Sequence, residues 1–319
     1  MNDAGGSGGS SSRASTAAGG SGGSSSRAST AAGGSGGSSS RASTAPRAGG
    51  SATPPALPAG AFDSHCHLDL IERPVEAVVA DALAAGLSRM ITVGCDLPSS
   101  RWAAACAAEH EPVYAAVAIH PNETAKAAAQ PGGAGAVLAE IGSLAAQPQV
   151  RAVGETGLDY YRDWADPAVQ RDWFRAHIAI AKAAGKALMI HDRAAHEDVL
   201  RLLEADGAPE QVVFHCFSGD EAMAKRCADA GYVMSFAGNV TFANAQQLRD
   251  AAAAAPAELI LVETDAPFLT PVPHRGKPNA PAMAAYTVRC IAEVKQLDVA
   301  ELCAVIAATG ERVFGPWQA

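Results

Sequence analysis

Residues 150–193 read VRAVGETGLDYYRDWADPAVQRDWFRAHIAIAKAAGKALMIHDR, and the fold can be argued outward from this stretch. An apolar run over 150–156 ends in Gly154-Glu155-Thr156, Asp166-Pro167 opens a segment of helical length, and Gly185 stops it. A second apolar run, 187–192, then ends in His191-Asp192. Proline presets the φ of a first helical turn, and glycine takes the left-handed conformation that ends a helix. The stretch therefore predicts strand, helix, strand: one βαβ unit of a parallel sheet.

The same alternation repeats along the chain. Strands are expected at 61–67, 88–94, 113–119, 150–156, 187–192, 211–217, 232–238 and 258–264, each followed by a helix. Pro74 opens the first helix, and Gly86 and Gly231 stop others ahead of strands. Eight consecutive units predict an α/β fold of the (β/α)8 TIM-barrel type rather than an open sheet. Segments 281–296 and 298–308 are expected to be the eighth barrel helix and an extra helix closing one end. One domain over 53–319 suffices, since such barrels use about 250 residues.

The first fifty residues differ in kind: nearly all are Gly, Ser, Ala, Thr or Arg, with no large apolar side chain after Met1. A 14-residue unit, GGSGGSSSRASTAA, starts at Gly5, Gly19 and Gly33, the third copy ending Ala45-Pro46 instead. A repeat without an apolar face cannot stack into a solenoid. Residues 1–52 are thus expected to be a disordered low-complexity arm. Its arginines, Arg13, Arg27, Arg41 and Arg47, are sparse enough to read as a solvated linker.

Removing those four arginines and Asp3 from the totals of 24 basic and 33 acidic residues leaves 20 against 32, a formal charge of −12. This argues against a broad basic nucleic-acid face, though not against a phosphate substrate neutralised locally by dications. Seven cysteines without CxxC spacing read as reduced thiols. No apolar run suggests a leader or a membrane span, so a cytoplasmic protein is expected, with no membrane role and no obligate protein partner indicated.

The strand ends carry the chemistry. Strand one finishes Asp63-Ser64-His65-Cys66-His67, where alternation puts Asp63, His65 and His67 on one face. Glu155, His191, His215 and, in Glu263-Thr264-Asp265, Asp265 interrupt other apolar runs at the same end. One polar residue at a strand end needs no function. Four histidines and two carboxylates facing one ring would repel or demand protons, and metal ions resolve that conflict. The expected assignment gives His65, His67 and Asp265 to one divalent ion, His191 and His215 to a second, and one oxygen of Glu155 to each. Ions about 3.5–4 Å apart would share a water and favour its deprotonation near neutral pH. Asp265 would serve as general base. Four nitrogens suit Zn²⁺, Mn²⁺ or Fe²⁺ better than Mg²⁺. Cys66 points the other way and reads as core.

The strings DSHCHLD (63–69), GETGLDYY (154–161), HCFSG (215–219) and LVETDAPFLTP (261–271) together resemble the TatD family of metal-dependent deoxyribonucleases, within the amidohydrolase-like barrels. The resemblance spans roughly 61–315 and carries the family's ligands onto His65, His67, Glu155, His191, His215 and Asp265. It implies phosphodiester hydrolysis on DNA, from a 3′ end, commonly assayed with Mg²⁺. His120, in Ala118-Ile119-His120-Pro121, matches a His-Pro of the family and is expected to meet a substrate phosphate or orient a ligand. Arg193, Arg275 and Asn279 offer donors for phosphate oxygens. Tyr160, Tyr161 and Phe217 are candidates for base stacking, and Glu263 is expected to pair with a basic neighbour such as Arg193 rather than bind metal. Two departures from the family pattern, Ala194 after Arg193 and Ala282-Met283 after Pro281, bear on substrate contacts. Alternative readings are a D-aminoacyl-tRNA deacylase or other ester hydrolase on the same ions, and a binding module whose metal is structural.

Overall fold

A computed structural model describes residues 54–58 and 60–316; the arm expected over 1–52 lies outside the described residues. Eight strands follow in order: β1 (Ala61–Cys66), β2 (Leu87–Val93), β3 (Val113–Val117), β4 (Val150–Asp159), β5 (Ala187–Arg193), β6 (Val212–Phe214), β7 (Val233–Phe236) and β8 (Ile260–Val262). They form one parallel sheet in sequential order, and a bridge from Cys66 to Ala266 joins its two edges. This is the expected (β/α)8 barrel. Its strands are buried on both faces, as a parallel sheet wrapped in helices must be.

The helices are α1 (Val75–Ala84), α2 (Leu97–Glu109), α3 (Thr124–Ala128), α4 (Gly133–Ala145), α5 (Pro167–Ala184), α6 (His196–Asp206), α7 (Glu221–Asp229), α8 (Gln246–Ala254), α9 (Ala284–Lys295) and α10 (Val299–Phe314). Asp166 caps α5 through Ala168 N, Pro167 fills its first position, and Gly185 ends it at φ 60°. The punctuation read from the sequence is physically in place there.

Several expectations change. The β3–β4 connection holds two helices, α3 and α4, so α5 is the fifth helix rather than the fourth. Strands β6 and β8 are shorter than expected, and a 3-10 turn, Ala257–Leu259, replaces the start of β8. The closing helix α10 runs on to Phe314, whose ring meets Phe62 edge-on at 6.0 Å. Gly310 of α10 lets that ring approach the helix backbone.

Two irregularities aim the loaded strand ends. The β1–β2 register shifts between Asp63 and Cys66, and the β4–β5 register shifts between Val153 and Thr156. His65 and Glu155 lie inside these shifts, where a bulge re-aims a side chain that strict alternation would direct elsewhere. Just past β6 and β8, Cys216 and Asp265 take left-handed backbone at φ 41° and 51°. Non-glycine residues rarely adopt that conformation, and it recurs at functional sites.

Candidate metal centre

The strand ends open into a cavity of about 680 Å³, lined among others by His67, His120, Glu155, His191, His215 and Asp265. Glu155 stands at its centre and divides its two oxygens. Oε2 lies 3.6 Å from His65 Nε2. Oε1 lies 2.6 Å from His191 Nδ1, 2.8 Å from His215 Nε2 and 3.5 Å from His120 Nε2. Asp265 Oδ1 closes the first group, 3.5 Å from His67 Nε2 and 3.8 Å from His65 Nε2, and the two imidazoles approach to 3.2 Å. Gly157 makes the β4–β5 approach possible, since a Cβ there would collide with the His191 carbonyl.

Each inward-facing histidine is held from behind. His67 Nδ1 donates to Val93 O at 3.0 Å, and His215 Nδ1 donates to Glu263 Oε1 at 3.1 Å. His191 turns Nε2 to Asp159 Oδ2 at 3.3 Å, and His65 Nδ1 rests against Met189 Sδ at 3.2 Å. A partner on one ring nitrogen fixes the tautomer and leaves the other nitrogen's lone pair directed inward. His120 is different: its Nδ1 accepts from Asn122 N at 3.0 Å, so Nε2 carries the proton and faces the cavity as a donor.

The electrostatics bear on what the cluster can hold. Burial opposes the ionised form of Glu155, yet His215, His120 and His191 hold its carboxyl well below the usual range. Burial likewise opposes a charged His215, but Glu155 and Glu263 hold it well above the ordinary imidazole value. His65 is pushed well below that value by burial and by the neighbouring His215. Burial raises the Cys95 thiol to about 11, so Cys95 meets Glu155 Oε2, 3.7 Å away, as a weak donor rather than a thiolate. Without metal, protons on some imidazoles balance the buried carboxylates. A divalent cation does so better, and the donor set fits one: His65, His67 and Asp265 already lie together, as do several histidines about Glu155.

Other expected residues fall as follows. Arg193 lines the cavity with its guanidinium 3.9 Å above the Tyr161 ring. Glu263 is fully buried against His215 and the Cys216 amide, so the basic neighbour it pairs with is His215 in place of Arg193. Asn279 is buried, donating through Nδ2 to Thr264 O at 3.0 Å and to Phe268 O, which fixes the loop after β8. Arg275 lies over the Phe242 ring at 4.3 Å, and neither it nor Asn279 lines the cavity. Phe217 packs in the core against Phe236, and Tyr160 OH donates to Asp198 Oδ2; Tyr161 alone of the expected aromatics is open, at 65% exposure. Asp63 accepts from Thr264 N at 2.9 Å and stands outside the cluster. Cys66 is core, as expected.

Sequence reasoning overlooked Asp159, Arg162 and Trp164. Asp159 was visible as the acid of Gly157-Leu158-Asp159, but its link to His191 depends on β4 running four residues beyond Glu155. Arg162 stacks on Trp164 at 4.8 Å, and both line the cavity.

A family model described as TatD-related DNase matches residues 62–315. The chain belongs to this family. Among its TatD relatives is the uncharacterized metal-dependent hydrolase TatD of Mycobacterium tuberculosis, 45% identical over 264 residues, which cover 79% of this chain and 97% of that one. The uncharacterized metal-dependent hydrolase YabD of Bacillus subtilis is 36% identical over 79% of this chain and 98% of its own length. The crystal structure of YJJV, a TatD homologue from Escherichia coli K12, superposes with a TM-score of 0.75 at 26% identity, covering 80% and 98% of the two chains. This TatD-family chain is accordingly a metal-dependent hydrolase. Among the described residues no helix is long and apolar enough to cross a membrane.

Proposed function

We propose that this TatD-family hydrolase is a deoxyribonuclease that removes nucleotides from a 3′ end of single-stranded DNA. Its two divalent ions would be held by His65, His67 and Asp265 and by His191 and His215, with Glu155 shared between them. The observation that carries the substrate class is the rim: Arg162 and Arg193 stack on Trp164 and Tyr161 beside the histidine and carboxylate cluster. Guanidinium groups suit phosphate oxygens, and exposed aromatic faces suit unpaired bases.

When bound, such ions supply Lewis acidity, polarising a phosphoryl oxygen and making water a competent nucleophile at neutral pH. The protein's own groups supply the rest. Arg193 and Arg162 bind the phosphodiester and place it over the cluster. His120, neutral with its proton on Nε2, donates to a phosphate oxygen. Asp265 accepts the proton of the attacking water at a carboxylate oxygen, since its side chain is 16% exposed to the cavity while that of Glu155 is 5% exposed.

The test is release of mononucleotides from a labelled single-stranded oligonucleotide with Mg²⁺, Mn²⁺ or Zn²⁺, run beside a D-aminoacyl-tRNA substrate. Metal-dependent release by the wild type and none by Glu155→Ala or Asp265→Ala supports the reading. Deacylation without DNA cleavage would replace it with ester hydrolysis on the same residues.

A further inference from the structure

At the opposite end of the barrel, where strands begin, a second cleft of about 470 Å³ is lined by Arg151, Lys182, Lys186 and Arg312, with Glu210 the sole acid among its lining residues. In a chain of net charge −9, four cations gathered with so little counter-charge call for an explanation. Capping accounts for two. Lys182 Nζ donates to Asp206 O and Gly207 O at 3.0 and 3.1 Å, and Arg312 donates to Glu258 O and Gln211 Oε1. The backbone carbonyls among these acceptors lie at the end of α6 and in the turn before β8, where cations belong.

Arg151 and Lys186 are not accounted for in that way. Neither pairs with a carboxylate among the described residues, although nine other basic side chains, such as Arg175 and Arg226, do. Among the described residues the Lys186 side chain makes one bond, to Gln147 O at 3.5 Å. Among the described residues Arg151 stacks on Tyr114 and makes one side-chain bond, to Pro316 O at 3.4 Å, and its buried Nε has no partner. A guanidinium has five N–H donors, so the described residues leave most of its capacity unspent. Burial and the Arg151 charge both push the Lys186 amine below its usual value, as expected of two cations brought together without an anion.

We propose that this cleft binds a small phosphorylated anion, with its phosphate between Arg151 and Lys186 and with Arg312 and Lys182 at the edges. A planar guanidinium beside an ammonium matches the oxygens and charge of a phosphate monoester or a pyrophosphate. The cleft's volume is that of an ordinary small-molecule site. It is separate from the histidine cluster, since Arg151 and Lys186 stand at the starts of β4 and β5 while Glu155 and His191 stand toward their far ends.

Calorimetric titration of metal-stripped protein with inorganic pyrophosphate, and separately with AMP, tests this. Binding at one site is expected, weakened about tenfold or more by Arg151→Gln and by Lys186→Gln and unchanged by His191→Ala, a difference of about 1.4 kcal/mol or more. Circular dichroism checks folding. Should Arg151→Gln unfold, Lys186→Gln, whose side chain makes only the one long bond, decides. Binding lost in His191→Ala but kept in the two cation variants would place the anion at the histidine cluster and overturn the proposal. So would no binding of either probe by the wild type.

Discussion

His215 is held between two carboxylates: Nδ1 donates to Glu263 Oε1 at 3.1 Å while Nε2 faces Glu155 Oε1 at 2.8 Å. Glu263 also accepts the Cys216 amide at 3.0 Å, so one buried carboxylate orients both the imidazole and the left-handed turn beside it. Glu263→Ala is therefore expected to weaken metal binding by about 10- to 100-fold, with Glu263→Gln losing less because its amide oxygen still accepts from Nδ1. Competition with a coloured chelator reads this directly. Equal affinity in wild type and Glu263→Ala would refute the orienting role.

Asp159 links the centre to the rim. Its Oδ2 meets His191 and Asn122, and its Oδ1 accepts the amides of Tyr161 and Arg162, both at 3.0 Å. Asp159→Ala should both lower metal affinity and raise the KM for oligonucleotide, since the Arg162 backbone loses its anchor. A pure metal effect would be reversed by saturating metal. Full rescue of KM under those conditions would show that the rim does not depend on Asp159.

His177 gives a pH signature of stability. Burial lowers its pKa to about 4; Nδ1 donates to Trp173 O at 2.8 Å and Nε2 accepts Ile119 N at 3.2 Å, so the folded state holds it neutral. Above about pH 6.5 the folded and unfolded states are both neutral at this residue. As the pH falls, the unfolded chain takes up the proton first, so stability is lost between about pH 6.5 and 4, by roughly 3 kcal/mol at most. Urea midpoints of metal-free wild type should fall more steeply across that window than those of His177→Gln. Parallel curves would exclude His177 as the source.

Gly310→Ala should destabilise the barrel by about 1–3 kcal/mol, because the added methyl collides with the Phe62 ring and α10 must shift. Denaturant unfolding checks this. Metal affinity of the folded fraction should stay unchanged, as Phe62 lies at the start of β1, and a reduced affinity would show that the strain reaches His65.

Much of the molecule was legible in the sequence. The eight strands and the punctuation of α5 followed from apolar runs bounded by proline and glycine, and the six proposed ligands from polar residues at the ends of those runs. What was not legible depended on partners brought together by closure. Glu263 could not be matched to His215 because β6 and β8 are not neighbours; β7 lies between them. Asn279 looked like a donor for substrate because nothing local shows that its amide turns inward to Thr264 O and Phe268 O. Period-two reasoning grouped Asp63 with His65, whereas the bulge in β1 leaves Asp63 bound to Thr264. Helices α3 and α4 share a connection whose sequence pattern predicts a single crossover helix.

The seam of the barrel is also the floor of the candidate metal centre. His67 N donates to Ala266 O and Asp265 N donates to His65 O, both within the contact that joins the first strand to the last. During synthesis His65 and His67 leave the ribosome almost two hundred residues before Asp265 does. Until the final βα unit docks, the proposed ligand triad is incomplete and the ring has no closure, so on that reading a nascent or truncated chain is an unarmed one.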